Sequence, residues 1–255
     1  MNNGLHARSS GEGGHVVLLH GLFGQGGNLR SVARVLEGHC RVHCLDLPDH
    51  GRSRWLDVAT LETYAGAVDE WMTDSGIDRA HVIGHSLGGK VAMQLALNAP
   101  ARVNKLAIVD IAPVSYQGQH EQVLAAMRRV EAQGCGTRAA AQTLLAEAIE
   151  DPGVVSYLLM SLVQEGEVLR WRLNLAGLEA GYEQLRLAPT ALQAHRGETL
   201  FIRGALSGYI QPEYAPEMTR WFPHHRLVTI EGAGHWVHVD QSEVFCQQIR
   251  DYLVV

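Results

Sequence analysis

The 255-residue chain reads as an α/β protein, a doubly wound and mainly parallel sheet carrying an inserted all-helical cap. Three observations predict it. Short apolar runs bounded by turn residues recur along the chain, as in buried strands. Amphipathic helical patterns separate most of these runs, the alternation of a parallel sheet covered on both faces. One stretch, from about 114 to 190, has helical spacing with no strand inside it. The expected organisation is a core of residues 1–113 and 191–255 with a cap at 114–190.

Composition fits one folded domain, with 46% hydrophobic and 19% charged residues. The formal net charge is −6, and no basic run offers to neutralise a phosphate backbone or an anionic bilayer. Nucleic acid and membrane are therefore excluded as expected partners. The opening MNNGLHARSSGEGGH has no apolar core, and no apolar run reaches the roughly 18 residues of a membrane span, so a cytoplasmic location is expected. Cys40, Cys44, Cys135 and Cys246 lack paired CxxC spacing, and His43 points away from the strand face shared by Cys40 and Cys44. Buried free thiols are expected, with no metal and no cofactor.

Taken in order, HVVLLHG (15–21), CRVHCLDL (40–47), AHVIGHS (80–86), KLAIVD (105–110), TLFIRG (199–204) and HRLVTIEG (225–232) are the strands. SVARVLEG (31–38), LETYAGAVDEWMTDSG (61–76) and LGGKVAMQLALNAP (87–100) are the helices between the early ones. HEQVLAAMRRVEAQ, TRAAAQTLLAEAIE, PGVVSYLLMSLVQ and EVLRWRLNLAGLEAGY all read as cap helices. In DQSEVFCQQIRDYL, Asp240 followed three residues later by Glu243 reads as the capping box of the last helix.

Three loops after strands carry chemistry. GHSLGG (84–89) is Gly-x-Ser-x-Gly between a buried strand and a helix, a tight turn that lifts the Ser86 hydroxyl above the sheet. The helix-start amides face negative charge developing there, and the N–H of Leu87 is placed to donate to an oxyanion. HGLFGQGGN (20–28) is a second glycine-rich turn able to bring the Leu22 amide to the same oxyanion, with His20 ordering the loop by hydrogen bonding. Phe23 in that loop and His85 beside the serine are expected to line the pocket. DLPDHGRS (46–53) is a sharp polar turn leaving the sheet.

These motifs, with a late GAGHW, resemble the α/β-hydrolase superfamily over nearly the whole chain. HGLFG, GHSLGGK, VDIAPV and WRLN are similar to the YbfF-type bacterial esterases. The resemblance implies an esterase or thioesterase with a helical cap and no cofactor.

In GAGHWVHVD (232–240) the glycine turn aims His235 at the sheet's carboxyl edge as general base; His238, without that turn, is the rival. In most hydrolases of this fold the partner acid follows the strand equivalent to TLFIRG, yet FIRGALSGYIQP (201–212) contains no Asp or Glu. That loop offers Ser207, which can orient an imidazole but not balance its charge. Asp110, at the carboxyl end of KLAIVD, keeps the chain order Ser86, acid, His235 and is the expected acid. The resemblance implies the same, with Ser207 as auxiliary partner.

The expected activity is hydrolysis of short- to medium-chain acyl esters, or thioesters, by a Ser-His-Asp acyl-enzyme route. Trp171, Arg172 and Asn174 in WRLN are expected pocket-lining residues of the cap. Carbon–carbon bond hydrolysis or perhydrolysis by the same triad, and a non-catalytic receptor on the same fold, are the alternatives. A serine nucleophile excludes dehalogenase and epoxide hydrolase chemistry, which needs a carboxylate there.

Overall fold

All six predicted strand runs form strands whose edges fall within two residues of expectation. The computed structural model describes residues 4–253; the first three residues of the polar opening stretch lie outside the described residues. In chain order the elements of the first half are β1 (Ala7–Ser10), β2 (Gly14–Leu19), α1 (Arg30–Leu36), β3 (Cys40–Leu45), α2 (Leu61–Asp74), β4 (Ala80–His85), α3 (Leu87–Asn98) and β5 (Val103–Val109). Next come α4 (Glu121–Gln133), α5 (Arg138–Ala146), α6 (Pro152–Leu159), β6 (Leu162–Glu165), β7 (Val168–Trp171) and α7 (Leu175–Leu185). The chain then returns through β8 (Thr199–Gly204), α8 (Ala215–Trp221), β9 (His225–Ile230), α9 (Val237–Asp240) and α10 (Ser242–Leu253).

Seven strands form one sheet in the order β1-β3-β2-β4-β5-β8-β9, parallel except for β1 against β3. Alternation along each strand loads both faces. In β5, Leu106 and Ile108 join the apolar layer that includes α2 and α3 residues, while Ala107 and Val109 join the layer with α1 and α10 residues. Val82 and Ile83 divide in the same way in β4. Such two-sided burial explains why these strands read as continuous apolar runs, each large side chain contributing about 1.5–3 kcal/mol when removed from water. The last helix buries Phe245, Cys246, Ile249 and Tyr252 on one stripe against that second layer.

Three sequence expectations are corrected. β1 was not anticipated: ARSS is polar and half-exposed, and it is held only at an edge by pairing Ala7 with Leu45 through Ser10 with Val42. The segment between β5 and β8 has four helices, but SLVQEGEVLRW is not helical. It folds as the antiparallel pair β6–β7 around Gly166 at φ +60°. The exposed Arg170 lies between buried Leu169 and Trp171, a two-residue period that won over the helical one. Asp240 does not cap the last helix; it closes α9, and its carboxylate accepts the Gly234 N–H at 2.8 Å, bracing the turn before His235. All four cysteines are buried free thiols, as expected. Among the described residues no helix is long and apolar enough to cross a membrane.

Candidate active site

Ser86 joins β4 to α3 with φ +53° and ψ −117°, a strained conformation for a non-glycine residue that costs of order 1–3 kcal/mol. The surroundings hold it there. Its N–H donates to Val109 O at 3.0 Å, and its carbonyl accepts the Lys90 N–H at 3.1 Å. A Cβ on Gly84 would lie 2.1 Å from Gly88 O, and one on Gly88 would lie 2.2 Å from Leu19 O. The two glycines of the motif are thus required by the closeness of strand and helix. Ser86 makes no side-chain cap bond to its own helix, which leaves Oγ for the cavity above it.

The 20–28 loop is bolted to the 46–53 turn. His20 Nδ1–H donates to Gly21 O at 2.8 Å while its Nε2 accepts the Leu47 N–H at 3.0 Å. His50 repeats the pattern, donating to Pro48 O and accepting the Phe23 N–H. Burial pushes His20 down to about 4 and His50 to about 3, so both rings stay neutral and act as fixed donor-acceptor links. Asp46 accepts the N–H groups of Gly26 and Arg52. The loop places Leu22 beside Ser86 on the wall of the same cavities, with Phe23 held at φ +65°.

Three adjacent strand ends converge on Asp110. Asp110 leaves β5 at φ +53°, fully buried, with its N–H donating to Ile202 O at 2.8 Å. Its Oδ1 accepts the Gly204 N–H at 3.0 Å. Its Oδ2 accepts His235 Nδ1–H at 2.8 Å and the Ser207 hydroxyl. The carboxylate thus receives three donors. The His235 side chain is 24% exposed, and its ring faces a cavity that Ser86 also lines. The structure thus joins Asp110, Ser207 and His235 by hydrogen bonds and sets Ser86 on the wall of the cavity that His235 faces.

Two cavities share Ser86, Leu22, Gln119, His120 and Tyr209. The narrower, about 470 Å³ including space open to solvent, lies between Leu87, Ile111, Tyr116, Tyr182 and Leu185. The wider, about 860 Å³, contains His235, His85, Phe23, Tyr157 and Trp236. His85 is buried, and its Nε2–H donates to the His235 carbonyl at 2.9 Å, so it anchors the backbone of the histidine it touches. Burial first, then the neighbouring His235 and His238 rings, drive its pKa well below the usual value. His238 is likewise buried, pushed down to about 4, and packs on His85 and Phe245 while His235 holds Asp110.

The WRLN residues do not line these cavities. Trp171 turns inward, its indole N–H donating to Met127 O at 2.9 Å. The Arg172 carbonyl accepts the Gly51 N–H, and Asn174 caps α7 while donating to Asp49. Arg172 and Asn174 thereby tie the inserted segment to the 46–53 turn. The polar residues that do face the site from this segment, His120 with Nδ1 2.8 Å from Tyr182 Oη, were missed. Their only sequence signal is a ring just before α4 and another inside α7, which is indistinguishable from packing before the helices are placed.

With the geometry established, comparison with known proteins gives it a context. The model of the Alpha/beta hydrolase family matches residues 16–248. Esterase YbfF of Escherichia coli K12 is 35% identical over 239 residues, covering 93% of this chain and 92% of that protein. The sn-1-specific diacylglycerol lipase ABHD11 of Mus musculus is 34% identical over 246 residues, covering 93% and 80%. Among solved structures, a marine microorganism esterase superposes with a TM-score of 0.95 at 31% identity, covering 99% of this chain and all of that one. The chain belongs to the alpha/beta hydrolase family.

Proposed function

We propose that this protein is a serine carboxylesterase in which Ser86 is the nucleophile, His235 the general base and Asp110 the acid, with Ser207 an auxiliary partner of Asp110. The observation that carries the assignment is the 2.8 Å bond from His235 Nδ1–H to Asp110, on a ring that shares a cavity with Ser86. That bond fixes the tautomer: Nδ1 carries the proton, so Nε2 is free to accept one.

His235 Nε2 takes the Ser86 proton as Oγ attacks the ester carbonyl, and the Leu22 and Leu87 amides receive the oxyanion. The tetrahedral intermediate collapses, the C–O bond to the alcohol breaks, and His235 returns the proton to the departing alcohol. Water then attacks the acyl-enzyme by the same sequence, regenerating Ser86 and releasing the acid. Asp110 keeps its bond to Nδ1–H throughout and stabilises the imidazolium.

The leaving alcohol must meet His235, so the wider cavity takes it and the narrower, His235-free cavity takes the acyl group. The apolar walls Leu22, Leu87, Ile111 and Leu185 suit a short to medium alkyl chain. Asp151 stands in the wall of the wider cavity, which disfavours an anionic alcohol or thiol portion.

The test is a panel of p-nitrophenyl esters and acyl thioesters of graded chain length with wild type and Ser86→Ala. Turnover of short and medium esters that falls by about 10⁴-fold or more in Ser86→Ala is expected. Retained turnover in that variant would reject the assignment.

A further inference from the structure

Lys90 is among the least exposed charged side chains of the protein, at 3%, and it lies one helical turn beyond Ser86 on α3. A buried ammonium costs several kcal/mol unless its donors are met. Here all three are. Nζ donates to Val114 O at 2.9 Å, Arg186 O at 2.7 Å and Leu187 O at 2.5 Å, with the Tyr116 ring 4.9 Å from it. An ammonium has three donors and no acceptor, so these bonds use its whole capacity.

The identity of the acceptors is informative. Val114 lies where the chain leaves the sheet after β5, and Arg186 and Leu187 lie where it returns after α7. One charge therefore joins both stalks of the inserted segment to the helix that begins at Ser86. The stalks also hold each other, since Tyr116 N–H donates to Arg186 O at 3.0 Å and Arg186 Nη1 donates to Tyr116 O at 2.6 Å. Lys90, Tyr116, Leu185 and Arg186 together wall the narrow cavity that opens at Ser86. A lysine serving only the core would not need to sit at the one point where these three backbone stretches converge.

We propose that Lys90 is a positioning residue for ester hydrolysis: by fastening both stalks to α3 it fixes the far wall of the narrow cavity and so the acyl groups that the cavity accepts. The proposal rests on Ser86 being the nucleophile. Burial, with Arg186 nearby, brings the amine down to about 7, so the clamp has all three donors below that pH and one fewer above it.

The experiment is Lys90→Met, which keeps the apolar stem and removes all three donors, measured with p-nitrophenyl acetate, butanoate and octanoate. KM for the two longer esters should rise by about tenfold or more, with kcat on the acetate within about fivefold of wild type. Amide hydrogen exchange should quicken in residues 114–187 and stay unchanged in the sheet. A folded variant with wild-type KM and exchange overturns the proposal, as does an equal loss of kcat on all three esters at unchanged KM. If Lys90→Met does not fold, Lys90→Gln, which keeps two donors, must show the same split. Failure of both to fold makes Lys90 a residue of global stability and also overturns it. Turnover surviving in Ser86→Ala would instead sink the nucleophile assignment, whatever Lys90 does.

Discussion

The ring of Tyr209 lies on the imidazole of His235, with centroids 4.0 Å apart and planes inclined by 25°. Tyr209 belongs to the loop after β8, and its own backbone is held on both sides: its N–H donates to Ser207 Oγ and its carbonyl accepts the Tyr116 hydroxyl at 2.6 Å. The imidazole is thus fixed in-plane by Asp110 and face-on by Tyr209. Tyr209→Ala should lower kcat/KM by roughly 5–30-fold, the scale of one lost aromatic contact plus a loosened ring, while Tyr209→Phe stays within about threefold. Steady-state kinetics on a medium-chain ester reads both.

Removing the charge and removing the hydroxyl should have unequal effects. Asp110→Asn is expected to reduce kcat by about 10²–10⁴-fold, because the amide neither balances the imidazolium nor enforces the Nδ1–H tautomer. Ser207→Ala takes away one of three donors to the carboxylate and should reduce kcat by no more than about tenfold. Circular dichroism checks that both variants are folded; near-normal turnover by Asp110→Asn would remove it as the acid.

A pair of glycine substitutions separates close approach from ordinary helix propensity. Gly88→Ala would set its methyl against Leu19 O and should destabilise the fold by more than about 3 kcal/mol. Gly66→Ala, in α2 with open space around the new methyl, should stabilise it by roughly 0.5–1 kcal/mol. Urea denaturation midpoints give both signs.

The buried neutral histidines predict an acid-side loss of stability. Their folded pKa values lie below the unfolded value of about 6.5, near 4 for His20 and His238 and near 3 for His50. Above that unfolded value both states are neutral and the stability is intact. As pH falls below it the unfolded chain takes up protons that the folded chain refuses, so stability drops down to the folded values, by several kcal/mol in order of magnitude. The denaturation midpoint should therefore fall between pH 7 and pH 4, and His238→Phe should flatten that slope; a midpoint constant over this range contradicts the assignment.

The parts of this molecule that were legible beforehand are those written locally. A strand buried on both faces is an apolar run whatever its neighbours, and the turn around Ser86 needs its glycines because of backbone contacts that any strand-to-helix elbow of this kind makes. Asp110, to which elimination led because the loop after β8 holds a serine where an acid was sought and β5 ends in a carboxylate after Ser86, does accept the His235 Nδ1–H. What stayed hidden depends on tertiary placement. Four-residue strands such as β1, β6 and β7 are too short for a period to declare itself. Asp240 met the helix-cap pattern, yet it closes α9 and its carboxylate accepts the Gly234 N–H, bracing the turn before His235. Trp171 and Asn174 sit in the expected segment but face its interior and the 46–53 turn, whereas Lys90, His120 and Tyr182 acquire their setting only when the inserted segment closes over α3.

Asp110 stands at the last fixed point of the sheet before the chain departs into the inserted segment, four residues ahead of the carbonyl that Lys90 grips. Whoever recombines this enzyme with a foreign lid will thus be cutting within a few residues of its proposed acid. A transplant that keeps residues 110–114 and 186–187 together with Lys90 should inherit a working catalyst with altered taste, while a junction placed at the strand end itself would trade away the chemistry along with the selectivity.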